Sequence, residues 1–515
     1  LAAALVDLGP LLNDLGQRFE ASGHRLALVG GPVRDALLGR RSPDLDFTTD
    51  ARPEVTSRLL RGWGDAFWEV GKEFGTIGAR RGGVVVEVTT YRSEAYDPSS
   101  RRPEVSFGDT LAGDLGRRDF TVNAMAVELP GWAFVDLHGG LADVSARRLR
   151  TPGTPQDSFS DDPLRMMRAA RFTAQLGFRV VPEVETAMRE MSERIDIVSA
   201  ERVRTELEKT LLAPSPRRGL ELLVNTGLAE RILPELPALQ LEIDEHHRHK
   251  DVYEHTLTVL EQAIALEDGP DGPVPGPDLV LRLAALLHDI GKPQTRRFEP
   301  GGGVSFHHHE LVGAKLTARR LRALRFDRDT VRQVSRLVEL HLRFHGYGDG
   351  EWTDSAVRRY VTDAGPLLDR LHKLTRSDCT TRNRRKAIRL AGAYDHLEQR
   401  VERLRAEEEL AAIRPDLDGE AIMEVLGIPP GREVGRAWSF LRELRLDRGP
   451  IGPEAARAEL VRWWRDQGGT VPGDDAAPSA VTGVDPGAAA GTGTGVRNGT
   501  DDGTDNRDGT AVETR

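Results

Sequence analysis

The stretch Leu28–Phe47, "LVGGPVRDALLGRRSPDLDF", decides how the first part of the chain is read. "HRLALVGG" (His24–Gly31) has the composition of a short apolar strand and ends in two glycines. Pro32 then suits the first turn of a helix, where its missing N–H has no partner to lose. "VRDALLG" continues that helix for one or two turns, and Gly39 is a natural stop. After the turn "RRSPD", "LDFTT" is strand-like, and strand alternation puts Asp44 and Asp46 on one face. Two carboxylates so close repel unless a cation lies between them. Hard oxygen ligands suit Mg2+, which is held typically by one or two carboxylates plus substrate phosphates. Gly30 and Gly31 let backbone N–H groups approach a polyanion, and a helix N-terminus favours one electrostatically. The stretch therefore reads as a triphosphate cradle beside a Mg2+ site. Asp-x-Asp alone would describe a solvated turn; the Gly-Gly helix entry before it shifts the reading.

The whole chain of 515 residues is long enough for three or more domains. With 71 basic and 81 acidic residues the net charge is −10, which excludes a uniformly basic nucleic-acid binder. The charge is uneven. Residues 468–515 carry eight acids against three basic residues, in a Gly-, Thr-, Asp- and Ala-rich tail almost without large apolar side chains. Such a tail cannot bury enough surface to offset ordering and is expected to be disordered. Cys379 is the only cysteine, so no intrachain disulfide forms, which fits a reducing cytoplasm. No apolar run approaches the roughly 18 residues of a membrane span. "LAAALVDLGPLLNDLGQRF" at the start reads as an amphipathic helix rather than a signal peptide.

Further strands are expected at "VVVEVTTY" (Val84–Tyr91) and "GWAFVDLHGG" (Gly131–Gly140). Glu87, in the first, is either a third carboxylate facing the aspartate pair or an exposed strand residue. Between Tyr91 and Arg117 no period is visible, and a mobile loop is expected. In "RRDFTVNAMA" (Arg117–Ala126) paired arginines can clamp phosphates, and Asp119 and Asn123 can bond ribose hydroxyls; the alternative is an amphipathic helix start with surface arginines. "DDPLRMMRAARFTAQLG" (Asp161–Gly177) is expected to be one helix, with Pro163 in its first turn and Gly177 at its end. Leu164, Met167, Phe172 and Leu176 mark its buried side, and Asp162 and Arg165 are neighbours on one face.

These motifs in this order resemble the class II tRNA nucleotidyltransferase/poly(A) polymerase family, from Gly30 to about Leu228. The resemblance implies an α+β architecture. A polymerase-beta-like nucleotidyltransferase head, a mixed sheet with helices, would occupy residues 1–150. A helical neck for nucleobase recognition would follow over 151–245. Asp44 and Asp46 would bind catalytic Mg2+, with Glu87 as a catalytic carboxylate. Gly30, Gly31 and Arg34 would lie at the triphosphate, and Arg118, Asp119 and Asn123 would handle phosphates and ribose. An RNA 3′-hydroxyl would attack the α-phosphate of a nucleoside triphosphate in a two-metal scheme. Asp162 and Arg165, with Arg168 a turn further on, would contact the incoming nucleotide. Chemistry agrees: Asp only accepts and Arg only donates, so cytosine and adenine fit the pair while uracil and guanine present the wrong groups. The family more often has Glu-Asp where this chain has Asp161-Asp162. "SAERVRTELEKTLL" (Ser199–Leu212) resembles the helix that braces the base-reading one.

Residues 246–378 hold 11 of the 14 histidines. "DVYEHTL", "LRLAALLHDIGKPQTR", "FHHHELVGAKL", "LVELHLRFHGYG" and "KLTRSDCTTRN" look like an HD phosphohydrolase domain over 246–380, with "HDIGK" the most specific piece. Imidazole and carboxylate together suit transition metals. By the resemblance His255, His288, Asp289 and Asp378 would be core ligands, and His309 and His341 would complete a second site. His309 is preferred over His307 and His308 because "HHE" precedes the helical "LVGAKL". His246, His247 and His249 are read as surface residues. The domain is expected either to hydrolyse phosphate esters at RNA ends or to be a scaffold with a relic site.

"RLHKLTRSDCTTRNRRKAIRL" (Arg370–Leu390) has nine basic residues, counting His372, and one acid. It offers Lys373, Arg376, Arg382, Arg384, Arg385 and Lys386 to RNA phosphates by counterion release. A helical RNA-binding body is expected over 381–467, reaching the elbow of a tRNA. The expected function is template-independent addition of C, C and A to tRNA from CTP and ATP. The rivals are a poly(A) polymerase, a CC-only or A-only enzyme, with residues 92–116 deciding, and an HD phosphohydrolase with an RNA-binding head.

Overall fold

The computed structural model describes residues 3–42, 44–72, 75–95, 104–108, 110–240, 252–300, 303–347, 352–380, 383–408 and 414–472. His246, His247, His249, Arg382 and the acidic tail from residue 473 onward lie outside the described residues. No helix among the described residues is long and apolar enough to cross a membrane.

Nine strands build the first part of the chain. They are β1 (Leu26–Val29), β2 (Asp44–Thr49), β3 (Ala66–Trp68), β4 (Thr76–Arg81), β5 (Val84–Thr90), β6 (Arg92–Ala95), β7 (Glu104–Phe107), β8 (Met125–Leu129) and β9 (Ala133–Asp136). Seven form one sheet in the order β3-β4-β5-β2-β1-β8-β9. Only β2 and β5 run parallel; the other neighbours are antiparallel. The two-residue period sorts the side chains. Leu45 and Phe47 of β2 and Val86 and Val88 of β5 are buried, in one cluster with Leu12, Leu15 and Phe19 of the helix Gly9–Glu20. Each such side chain stabilises the fold by roughly 1.5–3 kcal/mol. Asp44, Asp46 and Glu87 fall on the opposite, solvent-reached face.

The segment expected as a loop between Tyr91 and Arg117 is more regular than that. β6 and β7 pair antiparallel from Arg92↔Phe107 to Ala95↔Glu104, and the helix Leu111–Gly116 follows. A two-stranded ribbon is held by backbone pairing and needs no apolar face, so periodicity carries no signal for it.

The single helix expected over Asp161–Gly177 is two. One spans Pro155–Asp161, capped by the Thr154 hydroxyl; the next spans Leu164–Leu176. Asp162 between them is extended (φ −147°, ψ 101°), because the residue before a proline is pushed out of the helical region. Gly177 ends the second helix in a left-handed conformation, as expected. That helix is buried nearly all round, and Leu176 is only half-buried. The helix Ala200–Leu211 packs along it and starts with Ser199, whose side chain accepts the Arg202 N–H. Beyond come the helices Val252–Ala265, Leu279–Leu287, His309–Ala323, Arg328–Leu340 and Leu368–Ser377.

Two compact units divide the chain, Leu1–Arg414 with Arg442–Ile451, and Pro415–Leu441 with Gly452–Arg515. The body expected over 381–467 is therefore not one piece. The helix Arg384–Glu408 belongs to the first unit, where the Tyr394 hydroxyl donates to the Thr375 carbonyl and Arg400 pairs with Asp354. In the second unit the helices Gly419–Leu426 and Pro453–Asp466 pack through Ile422, Leu426, Ala456 and Leu460.

Candidate functional site

Asp46 and Glu87 are register partners across the parallel pair β2–β5, and Asp44 is two residues along β2. Crowding by protein raises the Asp46 carboxyl above its usual value, and Asp44 adds to the rise; Arg118, Arg168 and Arg34 oppose it. Glu87 is likewise raised, by partial burial first and by Asp46 and Asp44 second. Three oxygen donors that repel one another, faced by three arginines, are a donor set that fits a divalent cation and a polyphosphate together.

The glycine pair does what the sequence asks of it. Gly30 is the N-cap of the helix Gly31–Leu37 at φ +72°, a region that L side chains avoid. A Cβ there would also lie 3.0 Å from Nη1 of Arg118. From Gly30 onward a chain of hydrogen bonds runs inward. Arg34 donates from Nη1 to Oδ1 of Asn123 (2.6 Å). Asn123 donates from Nδ2 to Oδ1 of Asp119 (2.9 Å), and Arg168 donates from Nε to Oδ2 of Asp119 (2.7 Å). Burial would raise the Asp119 carboxyl, but Arg168 and these hydrogen bonds hold it down, to about 2. Asp114 plays the same part for the arginine pair: Arg117 and Arg118 both donate to it, and it too is held to about 2 against its burial. "RRDFTVNAMA" is thus neither a helix start nor a surface patch. Thr121–Asn123 is a single 3-10 turn leading into β8, and Asp119 is a buried hub joining Asn123 and Arg168.

The side chains of Asp162 and Arg165 do not bond one another; the two residues meet only through the backbone, where the Arg165 N–H donates to the Asp162 carbonyl (3.0 Å). Asp162 accepts from Nη2 of Arg202 (2.8 Å). Arg165 is buried and donates to the Ser158 hydroxyl (3.0 Å) and to the carbonyls of Ser158 and Arg117. The expected brace is present: Arg171 meets Glu206 of the neighbouring helix at 3.2 Å, both nearly fully buried. Ser158 and Arg202 were not singled out in the sequence. Arg202 stands in the bracing helix as an arginine four residues before Glu206, one face carrying both the contact to Asp162 and the contact to Arg171.

The histidine segments converge in a second place. His255, His288 and Asp378 form one group with ligand atoms within 4.8 Å of one another; Asp289, His309 and His341 form another. Nε2 of His255 lies 2.9 Å from Asp378, and Nε2 of His288 and of His309 lie 3.2 and 3.3 Å from Asp289. Each ring is aimed by its other nitrogen. Nδ1 faces the carbonyl of Ala285 at His288, of Phe306 at His309 and of Val338 at His341, and the Thr380 hydroxyl at His255. That leaves Nε2 of His288, His309 and His341 buried without a hydrogen-bond partner. Buried orphaned imidazole nitrogens, backed by second partners on Nδ1, are a donor set that fits a transition metal. Burial lowers His341 to about 3, which keeps its lone pair available. His307 and His308 are exposed, whereas His309 is buried. Lys292, which the sequence reading left without a role, lies 2.9 Å from Asp289.

The basic run divides. Arg370 pairs with Asp278, Lys373 with Asp268, and Arg376 with Asp395 and Glu398. Lys373 and Arg376, expected at RNA phosphates, are engaged in ion pairs with acids elsewhere in the chain. Arg384, Arg385 and Lys386 are exposed.

Three family models cover most of this architecture. Residues 26–150 match the poly A polymerase head domain, 177–239 the probable RNA and SrmB-binding site of polymerase A, and 252–383 the HD domain. An A-adding tRNA nucleotidyltransferase of Deinococcus radiodurans is 35% identical over 454 residues, covering 86% of this chain and 96% of that protein. The chain belongs to the tRNA nucleotidyltransferase and poly(A) polymerase family. A second family member, a CC-adding tRNA nucleotidyltransferase of Thermus thermophilus, is 33% identical over 84% of this chain and 93% of its own length. A CCA-adding enzyme of Levilactobacillus brevis is 42% identical, but over only 41% of this chain and 52% of its own length. Among solved structures, the Bacillus stearothermophilus CCA-adding enzyme in complex with CTP shares the family fold, at a TM-score of 0.62 and 24% identity over 89% of this chain and 98% of that one.

Proposed function

We propose that the head adds C, C and A to the 3′ end of tRNA from CTP and ATP, releasing pyrophosphate, in the cytoplasm. The carrying observation is that Arg34, Arg118 and Arg168 all bear on Asp46, so the cations suited to a triphosphate face the carboxylate pair. Asp44 and Asp46, with Glu87 beside them, are the proposed holders of Mg2+, which when bound activates the attacking hydroxyl and steadies the leaving pyrophosphate. Gly30 and Gly31 offer backbone N–H groups to the phosphates. Asp119 and Asn123 order the arginines and reach the ribose. Asp162 and Arg165 read the base: an amino donor beside a ring-nitrogen acceptor suits both, whereas uracil or guanine presents a carbonyl to Asp162 and an N–H to Arg165. Solved CCA-adding enzymes of similar fold, in complexes with CTP, ATP and tRNA, support the same substrates.

The histidine cluster is proposed to hold a divalent transition metal and to act on phosphate esters at RNA ends. Arg384, Arg385 and Lys386 are proposed RNA contacts.

A second reading has its own support. Two relatives matched over more than nine-tenths of their own length are named A-adding and CC-adding. Purified protein with Mg2+ and tRNA transcripts ending before CCA, after C or after CC separates the readings when each nucleotide is offered singly and then ATP with CTP. Ordered C, C, A addition that stops supports the first reading. Addition confined to A or to CC supports the second, and unlimited A on any RNA overturns both.

A further inference from the structure

Between Asp289 and His309, members of the histidine cluster, the chain leaves the helices as a small ribbon. Arg297–Phe298 pairs antiparallel with Val304–Ser305, closed by the Glu299 N–H on the Gly303 carbonyl (2.7 Å) and the Ser305 hydroxyl on Glu299 (2.5 Å). Phe298 is 70% exposed. The Arg296 guanidinium lies 5.1 Å from its ring centroid, and both Arg296 and Arg297 are exposed. The returning limb leads straight to the cluster. Phe306 packs under Lys292 (5.6 Å) and gives its carbonyl to Nδ1 of His309. His308 turns the chain into the next helix in a left-handed conformation (φ +62°), and Leu311, 45% exposed, follows on the first turn.

An exposed aromatic ring flanked by two arginines, on a ribbon whose returning limb runs through Phe306 to the buried His309, is not explained by stability. It has the chemistry of a stacking platform for single-stranded nucleic acid, where a base lies on a ring and phosphates lie on the cations. We propose that this ribbon docks the single-stranded 3′ end of an RNA, one base on Phe298 and flanking phosphates on Arg296 and Arg297, and so delivers the end to the histidine cluster. The proposal rests on the reading of that cluster as a metal site acting on RNA ends. RNA is favoured over a protein partner because the exposed large apolar side chains here are, among the described residues, Phe298 and Leu311 alone, and because the chain already handles RNA ends at its head.

The test uses the full chain and an eight-nucleotide oligoadenylate with a 5′-fluorescein, a 3′-phosphate and a photoreactive 4-thiouridine as its last residue. Crosslinks are expected in residues 296–311. Phe298→Ser should lose them and weaken binding at that site about tenfold, within the range for loss of one stacked base. The double variant Arg296→Ser/Arg297→Ser should lower the salt slope by about 1.4, two phosphates on a single strand. Nucleotide addition to tRNA should be unchanged in both. Crosslinks elsewhere, or affinity within twofold of the parent, overturn the ribbon. Bound metal is measured in the same samples. Metal retained with crosslinks elsewhere overturns the ribbon and leaves the cluster reading; metal absent, with crosslinks lost in Phe298→Ser, does the reverse.

Discussion

At the scale of single residues, charge decides most outcomes. Asp44→Ala is expected to lower the rate of nucleotide addition by about 10³-fold in single-turnover extension of a tRNA primer, about 4 kcal/mol of transition-state stabilisation. The same change should not lower the melting temperature, because Asp44 is exposed and its charge opposes that of Asp46. Addition at the parental rate would remove Asp44 from the metal site. Arg165→Ala should relax the preference for C and A over U and G; unchanged selectivity would sink its base-reading role. Asp119 links the head to acid stability. Its carboxyl is held at about 2 in the folded chain against 3.8 as a free group, so its stabilisation is complete above the higher value and is lost as pH falls toward 2. The loss is about 2 kcal/mol. Urea unfolding of Asp119→Asn at pH 5 and pH 2.5 should therefore show a smaller acid effect than in the parent; an equal effect would mean that another carboxylate carries it. Strand alternation puts Asp44 and Asp46 on one face in the sequence, whereas Glu87 comes beside Asp46 only through the β2–β5 register. Ser158 and Arg202 are not, because their meaning lies in partners 7 and 40 residues away.

At the scale of elements, close approach matters more than propensity. Gly291 lies where a Cβ would stand 2.1 Å from the His309 carbonyl and 2.7 Å from the Gly313 nitrogen. Gly291→Ala must push back the start of the helix His309–Ala323, at a cost of about 2 kcal/mol. Bound transition metal, read by mass spectrometry, should fall at least tenfold while tRNA extension persists; full metal retention would show that the helix start is not what sets the ligands. The glycine of "HDIGK" is visible in the sequence, but its reason is a helix packed across it. The break at Asp162–Pro163 was readable from the proline. It was obscured because the apolar spacing beyond it is helical and Pro163 also suits a first turn. The β6–β7 ribbon leaves no trace in the periodicity, since backbone pairing from Arg92↔Phe107 to Ala95↔Glu104 does not depend on an apolar pattern.

At the scale of the whole molecule, the order of motifs makes the head and the histidine-bearing part legible, whereas neither the division of residues 381–467 between two units nor the distribution of charge can be read from it. Lys373 and Arg376 sit in a run that looks cationic in one dimension and is neutralised in three, by Asp268 at a separation of 105 residues and by Glu398 at 22. Removing metal with a chelator should lower the melting temperature by several degrees, since a ligand at 1,000 times its Kd adds about 4 kcal/mol. Restored metal should reverse the drop in the parent but not in His341→Ala; a parent indifferent to chelation would mean that the histidines pack without an ion. One feature of the fold bears on the history of the chain. Buried Arg282, clamped by both oxygens of Glu267, donates to the carbonyls of Leu211 and Ala213 at the end of the helix Ala200–Leu211, which packs on Leu164–Leu176. The histidine-bearing part is therefore not a detachable passenger. A lineage that discarded it would uncap that helix, so loss of any hydrolytic activity should proceed by erosion of ligands in place, leaving Arg282 and Glu267 behind as a fossil of the union.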